Sequence, residues 1–304
     1  MHALPFLIAL ASGAILAPLL LRALRDAGHT RANYRQRELP SPFGVLALAA
    51  ALVALIPLTL LQKLASTHVF HPESFPIAVY ALGVLALGLI DDTLGGDERR
   101  GDRACGGDSR HEGAGAREGA DAGARLPQRG WRGHGAAVLR GEFSTGALKA
   151  AGSLGLALLA MSYLGLSNGR WLLAAAVLVL ATNVFNLLDL RPGRATKAFV
   201  LLGAGLVIGS ADLRVLWALG LFAAPALVAG VYDLRERAML GDTGANLLGA
   251  LAGLWLVLSL SGTGQLIALA LLLGITVYGE LRSISALIER TPGLRRLDSW
   301  GRPT

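Results

Sequence analysis

The chain is dominated by apolar runs, each close to the ~20 residues that a helix needs to cross the hydrocarbon core of a bilayer. They fall at about 4–21, 44–62, 75–90, 147–165, 171–188, 197–210, 214–231, 243–260 and 264–281. A backbone in lipid must satisfy its own hydrogen bonds, which leaves helices as the natural form for runs of this length. With 53% hydrophobic residues, 16% charged residues and a mean hydropathy of +0.53, the chain reads as all-α: a polytopic helical membrane protein with about nine transmembrane helices. Residues 1–304 form one integral-membrane domain on this reading. The sixth run is short and closely follows the fifth, which suits a tilted or broken helix inside the bundle.

Charge placement orients the bundle. Nine spans put 25 of the 28 Lys and Arg residues on one side, leaving only Lys63, Arg170 and Arg214 on the other. Basic residues concentrate in cytoplasmic loops, so the N-terminus is expected outside, the C-terminus in the cytoplasm and the protein in the plasma membrane. The net charge of +7 then records topology and attraction to anionic membrane lipids, and no aromatic interleaving of the basic residues points to nucleic acid. The first run has no basic segment before it, so it reads as a retained helix rather than a signal peptide. A single cysteine, Cys105, excludes an intrachain disulfide and a Cys-based metal site.

One stretch breaks the pattern. Residues 97–130 are almost entirely Gly, Ala, Arg, Asp and Glu, with seven Arg balanced by seven acids. Such a composition cannot bury a core, so 93–136 is expected to be a disordered low-complexity cytoplasmic loop; a frame error in the encoding sequence is the alternative. Beyond the last run, 282–304 alternates Ile284, Leu287, Ile288, Leu294 and Leu297 with arginines. That suits an amphipathic element on the inner leaflet, or a solvated tail.

Four acidic positions end or begin apolar runs: Asp91 and Asp92 in LGLIDD, Asp189 in NVFNLLDL, and Asp242 in LGDTGANLLG. Ionisable groups at membrane depth are costly, which makes them candidates for function. All four fall on the side rich in Arg191, Arg194 and Lys197. Acids and bases in short loops on one face suit a divalent cation with a phosphate-bearing substrate, because Mg²⁺ takes one or two carboxylates and completes its shell with water and phosphate. The plainer reading of the Asp pair is a helix end at the interface. Asn183, Asn186 and Asp189 recur at a spacing of three, on one helical face; they either hydrogen-bond between helices or position a ligand. Gly241 and Gly244 flank Asp242 and Thr243 where a helix opens, so the N–H groups there are expected to face an anion, unless Asp242 is an ordinary N-cap.

In order and topology, the motifs LIDD, NVFNLLD and LGDTGANLLG resemble the three cytoplasmic motifs of the polyprenyl-phosphate N-acetylhexosamine-1-phosphate transferases. The early loop RQRELPSPFG and the segment STGALK look like further pieces of that family, and the similarity covers most of the chain outside about 95–130. The resemblance implies that Asp91, Asp92 and Asp242 surround Mg²⁺, with Mn²⁺ as an alternative ion. Asn183, Asn186, Asp189, Arg191, Arg194, Lys197, Gly241 and Gly244 would lie on the substrate side. It implies transfer of a sugar-1-phosphate from a UDP-N-acetylhexosamine to a polyprenyl phosphate, with release of UMP, for cell-wall or surface-glycan synthesis. A homodimer is compatible with it. The chain also departs from the family: the second motif reads DLRPGRATK where D-G-x-D-G is usual, and no H-x-H motif occurs in the late region. Two other readings are an inactive relative serving as a lipid-binding or assembly partner, and a secondary transporter. Transporters place ionisable groups near the midplane, whereas these acids gather at one interface.

Overall fold

The computed structural model describes the backbone of residues 2–105 and 145–303, and the side chains of 2–94 and 146–303. Among these residues the fold is helical apart from one short hairpin. In chain order the elements are α1 (Leu4–Asp26), β1 (Thr30–Ala32), β2 (Glu38–Pro40), α2 (Val45–Leu64), α3 (Ser74–Cys105), α4 (Thr145–Ser162), α5 (Asn168–Leu188), α6 (Arg194–Ser210), α7 (Arg214–Leu234), α8 (Gly241–Ser259), α9 (Gly262–Leu281), α10 (Ile284–Arg290) and α11 (Pro292–Ser299). The strands pair antiparallel, with Arg31 opposite Leu39.

Seven helices are long and apolar enough to cross a membrane: α1, α2, α3 over Ser74–Leu94, α5, α7, α8 and α9. The sixth expected span also exists as a helix, but a shorter one, and the described part of the fourth is α4. α6 has 17 residues, about 25 Å at 1.5 Å per residue, against a core ~30 Å thick. Among the described residues, seven of the nine expected spans therefore form helices of spanning length, and the sixth, whose apolar run is itself short, forms a shorter one.

Helix α8 is the centre of the bundle. Every residue from Thr243 to Val257 is buried, and the helix packs against α5, α3, α6 and α7. Its sequence explains how four neighbours fit around it: small residues let helices in lipid approach closely, and Gly249 and Gly253 meet α5 at Ala181, Thr182 and Leu178. A Cβ on Gly249 would lie 2.6 Å from Thr182 Cα, so no larger residue fits without separating the two helices. Buried polar groups on α5 pair between helices: Tyr80 of α3 shares a hydrogen bond with Thr182 (3.0 Å), and Asn183 Nδ2 donates to Thr276 Oγ1 of α9 (3.3 Å). At the periphery α9 turns Leu266, Ile267, Leu271 and Ile275 outward, an apolar surface suited to hydrocarbon.

Two segments differ from expectation at the acid-bearing end of the bundle. α3 runs on to Cys105, although disorder was expected from 93. The rest of that low-complexity segment, 106–136, lies outside the described residues. The C-terminal tail is divided at Pro292 into two helices, α10 and α11, and is tied to the bundle through Asp298 rather than solvated throughout.

Candidate functional site

The site begins with a structural requirement. The first N–H groups of any helix lack intrahelical partners, and α8 opens inside the bundle. Asp92, at the end of the membrane-length part of α3, meets this need from a neighbouring helix. Its Oδ1 accepts from the Asp242 N–H (3.1 Å), and its Oδ2 accepts from the Thr243 N–H (2.8 Å) and the Thr243 hydroxyl (2.7 Å). A carboxylate also suits the positive end of the helix dipole. Gly241, at φ +70, makes the turn into α8 and leaves room for this carboxylate: a Cβ there would stand 2.7 Å from Asp92 Oδ2.

This corrects one expectation. The α8 N–H groups do face an anion, but that anion is Asp92 itself. Gly244, expected on the substrate side, instead backs onto Gly44, where a Cβ on Gly44 would lie 2.2 Å from the Gly244 nitrogen. The close crossing follows from backbone pairing: Phe43 and Gly44 donate to the carbonyls of Met239 and Leu240, and Met239 donates to Pro40. That short ladder holds the hairpin against the start of α8 and brings Arg31 within 3.5 Å of Asp92 Oδ1.

With Asp92 engaged, the other two acids converge on one cation. Lys149, near the start of α4, donates to Asp242 Oδ2 (2.7 Å) and to Asp91 Oδ2 (3.1 Å). All three side chains are largely buried. In sequence Lys149 is one more basic residue at the edge of an apolar run. Its signal was the STGALK segment, which places a lysine one turn into a helix expected to begin at the same membrane face as the acids. Asp91, Asp92 and Asp242 are thus assembled in one network, yet no set of three His, Cys, Asp or Glu side chains among the described residues is arranged as a metal cage.

Beside this network lies a cleft whose walls include Asn33, Tyr34, Asp189, Arg191, Pro192 and Asp233. Asp189 follows the last residue of α5. Burial, and then repulsion from Asp233, Asp242 and Asp92, pushes its carboxyl well above the usual carboxylate range. Asp233 ties the walls together: it accepts from the Gly193 N–H (2.7 Å) and from the Leu240 N–H (3.4 Å). Asn33 is 4% exposed; its Oδ1 accepts from the N–H groups of Arg35 and Arg37, while its Nδ2 has no hydrogen-bond partner among the described residues. Arg191 lies 5.5 Å from the Tyr34 ring centre and pairs with Glu289.

The remaining expected residues are placed differently. Asn183 is taken up by Thr276, and Asn186 contributes its carbonyl to the Asp189 N–H at the end of α5 (3.3 Å). Arg194 and Lys197, expected to hold substrate, are committed to the tail. Arg194 forms a two-pronged pair with Asp298 (2.8 and 3.0 Å), and Lys197 donates to the carbonyls of Leu297, Asp298 and Trp300. Their basic character serves a buried carboxylate and a helix C-terminus, respectively. No protein-family model and no curated protein matches this chain.

Two outcomes follow from these contacts. Asp92→Ala should lower Tm by roughly 2–6 °C, equivalent to about 1–2 kcal/mol of lost capping, while Asp92→Asn, which still presents an acceptor, should recover most of it; equal losses would remove the capping role. Asp189 binds its proton more tightly folded than unfolded, so stability is highest below the ordinary carboxylate pKa and falls as pH rises through the raised one. Asp189→Asn should therefore melt above wild type at pH 8, with the gap closing toward about pH 4. A pH-independent gap would contradict this.

Proposed function

We propose that this protein transfers a sugar-1-phosphate from a UDP-N-acetylhexosamine to a polyprenyl phosphate at the cytoplasmic face of the plasma membrane. The observation that carries the reading is the convergence of Asp91 and Asp242 on one cation, Lys149, at the end of a bundle with seven helices of spanning length. The distribution of Lys and Arg supports placing that end in the cytoplasm, where a soluble nucleotide sugar and a membrane-bound lipid phosphate would both have access.

The donor set suits a hard divalent ion. Two carboxylate oxygens from different helices already approach one positive centre, and Mg²⁺ is commonly held by one or two carboxylates plus substrate phosphate. Asp91 and Asp242 would hold it, with Asp92 fixing the start of α8 behind them. The ion would supply charge neutralisation on the diphosphate. Lys149 and Arg31 are then the protein's own cations beside the phosphates. A lipid phosphate oxygen attacks the β-phosphorus of the donor; the new O–P bond forms as the α–β bridging bond breaks, and UMP leaves with the electron pair. The nucleophile is already an anion, so the residues act mainly by positioning and by balancing charge. On the nucleotide side, the buried Asn33 amide, the Tyr34 ring and Arg191 offer a donor, a face and a cation.

A second reading, a lipid-binding relative without catalysis, draws on the same contact: Lys149 neutralises the two acids without any ligand. Turnover separates the two. With UDP-N-acetylglucosamine, undecaprenyl phosphate and Mg²⁺, the transferase reading expects UMP release, reduced on the order of 10²-fold or more by Asp91→Asn and by Asp242→Asn. Absence of UMP across a panel of UDP-N-acetylhexosamines would favour the binding protein.

A further inference from the structure

The C-terminal tail has no part in the chemistry above, yet much of the polar bonding next to the cleft leads into it. The cleft wall Asp189–Gly193 is a turn between α5 and α6 without regular structure. Asp298 of α11 is 9% exposed and accepts from two arginines: Arg194, just after that turn, and Arg302 (2.6 and 3.2 Å). Arg302 in turn donates through Nε to the Pro192 carbonyl (2.9 Å), on the wall itself. The tail makes two further contacts around the cleft. Glu289 of α10 pairs with Arg191, whose guanidinium faces the Tyr34 ring, and the Pro303 carbonyl accepts from Arg35 (3.2 Å).

We infer that the segment Ile284–Pro303 is a positioning element for the cleft, in which Asp298 orients Arg302 and Arg302 fixes the turn at Pro192. The inference rests on the reading of that cleft as the nucleotide-sugar side of a transferase. The Arg302 tethers are charge-assisted or charge-to-carbonyl hydrogen bonds made by side chains largely shielded from solvent, where such bonds are strongest. A turn released from the tail would spend less time in the binding arrangement, and apparent donor affinity falls by that fraction. The reacting groups Asp91, Asp242 and Lys149 make none of these contacts, so the bound complex should react at its normal rate.

Removing Asp298 would strand two buried arginines, so Arg302→Met is the variant of choice, with Arg302→Lys as the conservative comparison. The expected result is a donor KM raised about tenfold with kcat within about twofold, an unchanged KM for the lipid phosphate, and partial return toward wild type in Arg302→Lys. An unchanged donor KM, or a fall in kcat alone, overturns the assignment. If wild-type protein turns over no UDP-sugar, the transferase reading fails by itself. Amide hydrogen exchange across 189–193 then decides whether the brace exists: faster exchange in Arg302→Met upholds it, and equal exchange ends it.

Discussion

Helix α8 is enclosed by four other helices, so the N–H groups of its first turn cannot be left to solvent, and an unpaired buried donor costs on the order of 1–3 kcal/mol. The carboxylate of Asp92 resolves this, and the position of the acid cluster follows from it. Anchoring Asp92 fixes the end of the spanning part of α3 against the start of α8. The next side chain back, Asp91, and the first acid of α8, Asp242, are then left facing Lys149. Of three acids that look alike in sequence, one is engaged in holding the architecture and two present oxygens to a cation.

The same division separates the basic residues. Lys149 and Arg31 stand at the acids, whereas Arg194 and Lys197 are buried beneath α11. Breaking a buried pair such as Arg194 with Asp298 leaves an uncompensated charge, which is costlier than never having made the pair. Residues near an acid cluster in sequence thus divide into those that balance its charge and those that hold its surroundings still. The hairpin belongs to the second group: pairing of Phe43 and Gly44 with Met239 and Leu240 carries Asn33 and Tyr34 to the cleft.

Much of this was legible in sequence, for identifiable physical reasons. Long apolar runs announce spanning helices because lipid permits few alternatives, and Asp91, Asp92 and Asp242 stood out because a carboxylate ending such a run is expensive. Lys149 was not legible as a partner, since a lysine at the edge of a span is also what orientation in a membrane calls for. Asp298 was hidden for the opposite reason: an acid in an arginine-rich tail looks solvated, and only the fold reveals that it is buried between Arg194 and Arg302. That Arg194 and Lys197 turn toward the tail was not legible, because proximity along the chain to Asp189 says nothing about which way a helix start turns its side chains. The shortness of α6 was legible too, since its apolar run is itself short.

Asp91 and Asp242 are proposed to form one cation site, which Lys149 occupies. Its most direct test is Mn²⁺ binding followed by electron paramagnetic resonance in wild type, Lys149→Met and Asp242→Asn. If the ammonium and a divalent ion compete for the same two carboxylates, Lys149→Met should bind Mn²⁺ on the order of tenfold more tightly than wild type, and Asp242→Asn should bind it more weakly than both. Equal Mn²⁺ affinity in wild type and Lys149→Met, or tight binding that survives Asp242→Asn, would contradict the shared site.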